Sequence, residues 1–333
     1  MKVKCEEIEA SKNLKLPEII GGSWTFLAIK NPSSFMIGTK SKGLVLIDDN
    51  KSVYASKLHR RHSWFRDMIY VKSLNCYFID CGLSLYRKDI DEKPAYLYMK
   101  YVGGYREGAC FRYSKINQRL IVNKGYESLA AINLATKQIE IEVKKSDGDC
   151  IRDFRIFGKR ENQAVSLTKD ALLEVFQFNY QTKTGKVISN FKIVLKAGRN
   201  ESGVSIAVGG NNEYFLVELE SGSICSRMLI FKLDQNNLVL KASIDQFGLG
   251  VAEKFALEYY GRVGRSIIWV GLSMKIGGLF QAYEYDTYTE EIQEVTEKRE
   301  IHWEKNPCRL NRLGKNFYFT GELAKIKKLS IEI

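Results

Sequence analysis

Residues 62–89 read HSWFRDMIYVKSLNCYFIDCGLSLYRKD and contain three short apolar runs in close succession. The runs are DMIYV, CYFIDC and LSLYR, and polar residues typical of turns separate them. Each run has the length of an average strand and is too short for an average helix. The segment therefore predicts three antiparallel strands joined by short turns.

The same pattern recurs along the chain of 333 residues. An apolar strand followed by a polar turn starts at Leu44, Leu83, Leu129, Val175, Leu229, Phe280 and Lys328, at spacings of 39 to 54 residues. About 40–50 residues for each four-stranded unit is the period of a β-propeller. No long segment keeps the spacing of an amphipathic helix. We predict an all-β chain that forms a single seven-bladed β-propeller of four-stranded antiparallel blades.

The ends of the chain complete the predicted ring. The last strand, KLSIEI, leaves the seventh blade without an outer strand, and residues 2–9 alternate in the way that such a strand requires. We expect the N- and C-terminal strands to pair and to close the ring. The seven blades are predicted at residues 17–57, 62–101, 108–145, 150–196, 202–246, 252–298 and 301–333 with 2–9. Six blades are the alternative if the long unit between Val175 and Phe280 is misread.

These repeats resemble the WD40-like β-propeller family. In the stretch from His62 to Asp89, His62 stands where the family has its Gly-His dipeptide, and Tyr86-Arg87 stands where it has Trp-Asp. The other repeats lack both dipeptides, so the resemblance covers the chain only as a period. It implies a rigid, non-catalytic platform that binds other proteins within a larger intracellular assembly.

Charge and cysteine content limit the partners and the compartment. The chain has 51 Lys and Arg against 39 Asp and Glu, a net charge of +12 that favours nucleic acid, anionic lipid or acidic protein surfaces. Seven cysteines without a Cys-x-x-Cys pair indicate reduced thiols. The N-terminal residues lack the apolar core of a secretory signal, and no apolar window is long enough to span a bilayer. We expect a cytoplasmic or nuclear protein that is not secreted.

The stretch KLHRRHSWFR, residues 57–66, is the first candidate binding site. Its partner-binding candidates are Lys57, His59, Arg60, Arg61 and His62, in the predicted connection between blades 1 and 2. The mixture of bases and aromatic residues suits phosphates and stacked nucleobases. The two histidines have the spacing of metal ligands on a helix, but nothing predicts a helix or a third ligand there. The alternative explanation is that these bases only keep the protein in solution.

The predicted loops between the first and second strands of the blades form the second candidate site. They carry a single acid, Glu161, and nine bases: Lys72, Lys115, Arg119, Lys159, Arg160, Arg262, Arg265, Arg312 and Lys315. The loops between third and fourth strands lie at the same end of each blade, and their acids partly offset this charge. Those acids are Asp48, Asp49, Asp89, Asp91, Asp286 and Glu290.

Motifs for catalysis are lacking, so we expect no catalytic residue, no metal and no cofactor. There is no Gly-x-Ser-x-Gly elbow, GLGVAE at 248–253 lacks the third glycine of a dinucleotide loop, and GRVGRS at 261–266 lacks the lysine of a P-loop. The favoured function is a scaffold for other protein subunits with acidic surfaces. The alternatives are an RNA- or DNA-binding subunit that uses the same bases, and an enzyme with its site at the channel mouth.

Overall fold

The secondary structure is that of an all-β protein, as predicted. The computed structural model describes residues 2–8, 25–39, 43–49, 51–56, 67–81, 84–91, 93–100, 111–125, 127–198, 200–222, 224–245, 257–273, 279–295, 310–320 and 326–332. These residues form 28 strands and one 3-10 turn at Lys72–Leu74. None of the described segments is a helix long and apolar enough to cross a membrane.

The strands form seven four-stranded antiparallel sheets, which we number in chain order, and the alternative of six blades is therefore wrong. The sheets belong to two compact units. Unit 1 comprises residues 1–102, 274–279 and 299–333, and unit 2 comprises residues 103–273 and 280–298. The predicted boundaries of the blades and their union in one domain stay predictions.

Unit 1 contains sheets 1, 2 and 7. Sheet 1 consists of β2 (Thr25–Asn31), β3 (Ser34–Thr39), β4 (Gly43–Asp48) and β5 (Lys51–Ser56), and sheet 2 of β6 (Asp67–Val71), β7 (Cys76–Asp80), β8 (Ser84–Asp89) and β9 (Tyr96–Lys100). Sheet 7 consists of β26 (Asn311–Leu313), β27 (Asn316–Thr320), β28 (Ile326–Glu332) and β1 (Lys2–Glu7). In sheet 7, Lys4 lies opposite Ser330 and Cys5 opposite Leu329. The predicted pairing of the two terminal strands is confirmed.

Unit 2 contains sheets 3 to 6, each a meander of consecutive strands. Sheet 3 consists of β10 (Phe111–Ser114), β11 (Arg119–Lys124), β12 (Ser128–Asn133) and β13 (Gln138–Lys144), and sheet 4 of β14 (Ile151–Phe157), β15 (Gln163–Thr168), β16 (Leu172–Asn179) and β17 (Thr184–Lys192). Sheet 5 consists of β18 (Glu201–Gly209), β19 (Tyr214–Ser221), β20 (Ile224–Asp234) and β21 (Asn237–Asp245), and sheet 6 of β22 (Glu258–Val263), β23 (Ser266–Ser273), β24 (Leu279–Asp286) and β25 (Glu291–Glu294).

The repeating apolar run of the sequence is the third strand of each sheet. All seven runs overlap third strands, namely β4, β8, β12, β16, β20, β24 and β28. In sheet 4, Leu173 and Val175 pack in a core cluster with sheet 5, whereas Phe176 and Phe178 pack with sheet 3. A strand that is covered on both faces needs apolar residues at nearly every position. The outer strand β17 is only partly buried, and its sequence, TGKVISNFK, is correspondingly more polar.

In each meander, the first-to-second and third-to-fourth connections lie at the same end of the strands, which we call the hairpin end. In unit 2 the hairpin ends of neighbouring sheets adjoin. The amide of Asn117 donates to the carbonyl of Arg160, 2.7 Å away, between sheets 3 and 4. The rings of Phe157 and Phe215 meet edge to face at 5.1 Å between sheets 4 and 5. Between sheets 5 and 6, a Cβ at Gly210 would lie only 2.5 Å from Cδ1 of Ile267, the second residue of β23.

Candidate interaction surface

The hairpin ends carry the bases that the sequence assigned to first-to-second loops. Lys72 lies in the 3-10 turn before β7, and Lys115 lies in the turn before β11. Lys159 and Arg160 lie in the turn before β15, and Arg265 and Lys315 lie in the turns before β23 and β27. All six side chains are exposed.

The remaining three bases are strand residues, which corrects the loop boundaries. Arg119 is the first residue of β11, and β22 and β26 continue through Arg262 and Arg312. The last two strands continue because their hairpins are tight two-residue turns that begin at Gly264 and Gly314, with φ of 57° and 62°. Glycine adopts this left-handed conformation without strain. Arg262 and Arg312 nevertheless remain exposed beside the turns.

The other candidate site, Lys57, His59, Arg60, Arg61 and His62, lies outside the described residues. His302, the third histidine, also lies outside them. The proposed role of this basic stretch therefore stays a prediction.

Sheets 3 and 4 are joined at their hairpin ends by Glu161, one of two acids in the described first-to-second turns; the other is Glu213 in sheet 5. The Glu161 carboxylate accepts hydrogen bonds from the Ser114 hydroxyl and the Ile116 backbone N–H, each at 3.1 Å. These contacts fix the hairpin that presents Lys115. Among the described residues, no carboxylate forms an ion pair with Lys115, Lys159 or Arg160, so their charges are available at the surface.

Arg119 differs from these bases because a neighbouring acid neutralises it. Its Nε lies 2.6 Å from Oε2 of Glu140, and Lys183 lies 3.8 Å from the other oxygen of that carboxylate. Burial opposes the charge of Glu140, but hydrogen bonds from Asn133 and Arg119 outweigh burial and lower the pKa of the carboxyl group. Arg119 therefore contributes to the structure of sheet 3.

Sheet 6 presents a basic and aromatic cluster at its hairpin end. The guanidinium carbon of Arg265 lies 4.9 Å from the centroid of the Tyr288 ring. The Asp286 carboxylate lies 3.9 Å from Arg265 Nε, but its Oδ1 accepts the backbone N–H groups of Tyr288 and Thr289 at 2.7 and 3.2 Å. These backbone hydrogen bonds lower the pKa of Asp286. Thr287 fastens the two turns, because its N–H and hydroxyl both donate to the carbonyl of Arg265.

In unit 1, bases also lie at the hairpin ends. Lys30 pairs with Asp48 at 3.2 Å, so sheet 1 contributes a neutralised pair. In sheet 7, Arg312 donates from Nε to the carbonyl of Gly314 at 3.0 Å and covers the ring of Phe317. Lys72 and Lys315 are exposed, and among the described residues they form no ion pair.

Exposed apolar side chains accompany the bases, and sequence reasoning missed them. Ile116, next to Lys115, is 60% exposed, and Val263, next to Arg262, is 52% exposed. Leu74 lies two residues after Lys72, and Tyr288 beside Arg265 is 77% exposed. The signal was present as a branched or aromatic residue inside a polar turn. The prediction placed Leu74, Ile116 and Val263 in the first-to-second loops but considered only the charged residues of those loops.

The first strands of unit 2 hold a second group of charges, which the sequence did not indicate. Asp153 in β14 lies 3.0 Å from Arg112 Nη2 in β10 and 3.4 Å from Arg155 Nη2. Arg155 also reaches across β18, where it donates to the Ile206 carbonyl at 2.7 Å, and it pairs with Glu258 of β22 at 2.7 Å. These contacts join four consecutive sheets.

The described residues contain buried thiols and no cluster of metal ligands. Among them, no group of three or more His, Cys, Asp or Glu side chains could hold a metal ion. Burial raises the pKa of the Cys76 thiol to about 11 and that of Cys81 to about 12. Both thiols are therefore protonated at neutral pH and are poor nucleophiles.

Comparison with known proteins identifies structural neighbours only. No protein-family model matches the chain, and no curated protein sequence matches it. The β-propeller domain of Cps50 (Swd1) from Myceliophteria thermophila is 12% identical with a TM-score of 0.52, covering 80% of this chain and 82% of that one. KlHsv2 with loop 6CD replaced by a Gly-Ser linker is 13% identical with a TM-score of 0.56, covering 83% and 85%.

A third neighbour is a catalytically inactive virginiamycin B lyase from Staphylococcus aureus with quinupristin. It is 12% identical with a TM-score of 0.64, covering 99% of this chain and all of that one. The fold is a seven-bladed β-propeller. At these identities the likeness shows the fold alone, and the neighbours include both WD40 propellers and a lyase.

Proposed function

We propose that this β-propeller is a non-catalytic scaffold that binds other protein subunits with acidic surfaces, in the cytoplasm or nucleus. The observation that carries the proposal is that exposed bases and exposed apolar side chains lie next to each other in sequence at the hairpin ends. The pairs are Lys72 with Leu74, Lys115 with Ile116, and Arg262 with Val263. A surface that only served solubility would have polar residues at these tips. Protein interfaces instead combine apolar side chains with charged groups at the rim.

The two kinds of side chain contribute differently to such an interface. Exposed bases attract an acidic partner over a distance and reject basic ones, so they set the association rate and specificity. Apolar side chains give affinity, because burying one valine or isoleucine contributes about 1.5–3 kcal/mol. A partner with carboxylates around an apolar side chain would bind both the bases and the apolar side chains.

Affinity purification of the native protein with chemical cross-linking, with and without nuclease, tests this function. The scaffold predicts protein partners that survive nuclease. The basic and aromatic stretch 57–66 supports RNA or DNA binding as a second candidate. That candidate predicts partners lost on nuclease treatment and an affinity that falls steeply with salt, because counterions are released on binding.

Two charge reversals identify the surface in use. Arg60→Glu with Arg61→Glu removes bases of the stretch 57–66, and Arg262→Glu with Arg265→Glu removes bases of the sheet 6 hairpin end. If neither pair affects partner recovery, both groups serve only solubility and the proposal fails.

An enzyme with a site at the channel mouth is the third class. It predicts that a metal ion or a small molecule raises the melting temperature of the protein, because a ligand that binds only the folded state stabilises it. The scaffold predicts no such shift in a screen of divalent metals and metabolites. A shift with one of these compounds would contradict it.

A further inference from the structure

The hairpin end of sheet 6 differs from the other hairpin ends of unit 2 in what it exposes. Arg262 and Val263 at the end of β22 and Arg265 in the following turn are all exposed. Tyr288 lies in the neighbouring turn and has the largest exposure of any aromatic side chain among the described residues, 77%. Arg265 and Tyr288 are in contact across two adjacent hairpins, and Arg262 and Val263 lie beside them at the end of β22. We call these four residues the sheet 6 corner.

Backbone contacts hold the sheet 6 corner in place before any partner binds. Asp286 caps the turn through the N–H groups of Tyr288 and Thr289, and Thr287 binds the carbonyl of Arg265. The Nε of Arg262 donates to the carbonyl of Gly264 at 3.0 Å, which positions its side chain along the hairpin. A surface fixed in this way loses little conformational entropy on binding.

Three acids lie beside the corner, since Glu284, Asp286 and Glu291 line one pocket on β24 and β25. Asp286 Oδ2 lies 3.9 Å from Arg265 Nε, which is beyond hydrogen-bond distance. Glu290, the next acid in the turn, pairs with Lys241 of β21 at 2.7 Å. A guanidinium group can still donate a forked pair of hydrogen bonds to a carboxylate from outside.

We propose that the sheet 6 corner binds an acidic peptide segment that carries one apolar side chain. In this arrangement Arg262 and Arg265 bind carboxylates of the peptide, and its apolar side chain packs against the ring of Tyr288. Tyrosine and arginine are the residue types that contribute most at protein interfaces. This inference rests on the proposed scaffold function and specifies its site and the chemistry of its partner.

A protein segment fits the corner better than a nucleic acid does. The corner exposes one aromatic side chain, Tyr288, whereas proteins that bind single strands stack successive bases on several aromatic side chains. A nucleic-acid backbone also requires a continuous track of bases. In unit 2 that track is interrupted, because the first hairpin of sheet 5 presents Asn211, Asn212 and Glu213.

Fluorescence anisotropy of the full chain with labelled peptides tests the inference. The probes are short peptides of Asp and Glu with one central Leu, Phe or Trp, and a matched peptide with a central Ser. At least one apolar-centred peptide is expected to bind wild type, about tenfold or more tighter than the Ser peptide. Arg262→Glu with Arg265→Glu is expected to weaken that binding by about tenfold or more.

Two further variants separate the contacts from general charge effects. Tyr288→Ala is expected to weaken binding of the apolar-centred peptide by about tenfold and binding of the Ser peptide much less. The matched control is Lys144→Glu with Lys169→Glu, which changes the net charge equally at exposed positions opposite the hairpin ends of sheets 3 and 4. This control is expected to bind like wild type. Circular dichroism and melting temperature verify that each variant is folded.

Several results would overturn the inference. One is that no peptide binds at concentrations up to about 1 mM, and another is that the Ser peptide binds as tightly as the apolar-centred peptides. A third is that the control variant weakens peptide binding as much as the Arg262 and Arg265 variant does. The last is that single-stranded oligodeoxythymidine or phosphatidylserine vesicles bind the corner more tightly than the peptides. The scaffold function fails separately, if wild type recovers no nuclease-resistant protein partner. If the Arg262 and Arg265 variant still recovers such a partner at the wild-type level, the scaffold stands and the corner is not its site.

Discussion

Arg155 and Arg265 belong to the same unit, and the structure uses them in opposite ways. Arg155 has 11% of its side chain exposed and donates to Glu258 and to the carbonyls of Ile206 and Leu257. Arg265 has 63% exposed, and its contacts with Asp286 and Tyr288 leave its donors facing solvent. The first arginine joins sheets, and the second presents a charge.

This difference shows that the net charge of +12 does not reveal how many bases are available to bind a partner. Arginine can hold sheets together, as in the group around Asp153, or offer a forked donor to another molecule. What separates the two is whether carboxylates and carbonyls of the same chain already satisfy it. The following predictions test that distinction.

Removing the central acid of the inner group has the largest expected effect. Asp153→Ala leaves Arg112 and Arg155 without the carboxylate that both contact, and it removes the acceptor of the Ile206 N–H at 3.1 Å. Breaking a buried ion pair in this way costs about 3–5 kcal/mol. Urea unfolding measures the loss of unfolding free energy.

The variant Asp153→Asn sharpens the result, because it keeps the shape and one acceptor oxygen but removes the charge. It is expected to cost less than Asp153→Ala. A loss below about 1 kcal/mol for Asp153→Ala, the value for a surface ion pair, would show that the inner arginines do not depend on this acid.

The turn between β15 and β16 gives a pH-dependent effect of intermediate size. Burial of Asp170 raises its pKa, but hydrogen bonds from Lys192, the Thr168 hydroxyl and the Asp149 N–H outweigh burial and lower the pKa to about 2. The folded pKa thus lies below the ordinary value of 3.8. Folding favours the charged form, so this stabilisation is complete above the ordinary pKa and is lost as pH falls towards 2.

Asp170→Asn is therefore expected to cost about 1 kcal/mol at neutral pH and almost nothing near pH 2. Urea unfolding of both proteins between pH 7 and about 2 measures the difference. A gap between the two proteins that stays constant as pH falls would contradict the assigned pKa.

Reversing the charges of the sheet 6 corner has the smallest expected effect on stability. Arg262→Glu with Arg265→Glu removes two exposed bases whose contacts are local, so the unfolding free energy should change by about 0.5 kcal/mol or less for each. Urea unfolding and partner binding are measured on the same preparation. A large loss of stability would show that these arginines have a structural role like that of Arg155. Any loss of binding by the variant could then not be assigned to the site.

The sequence predicts the sheets well, because their signals are local. Third strands such as β16 and β20 are covered on both faces and therefore read as apolar runs, and turns such as Gly264–Arg265 carry glycine where φ is positive. The terminal pairing of β1 with β28 was also predictable, because the last blade lacked one strand.

The partners of the charges were not predictable, because they depend on contacts between distant positions. Arg112 and Asp153 are 41 residues apart, and Arg155 and Glu258 are 103 apart. Pairing of Arg119 with Glu140 likewise appears only when β11 and β13 flank β12. The sequence therefore counted Arg119 with the bases available for binding, and it did not single out Val263 or Tyr288.

Lysine-directed cross-linking of the native complex tests the central claim most directly, because it locates the partner on the surface. In unit 2 the hairpin-end lysines Lys115 and Lys159 are exposed, and so are Lys144 and Lys169 at the opposite ends of the strands. The scaffold predicts nuclease-resistant cross-links from Lys115 and Lys159 to one protein partner, and few from Lys144 or Lys169. Cross-links spread equally over both sets, or recovered only with nucleic acid present, would contradict it.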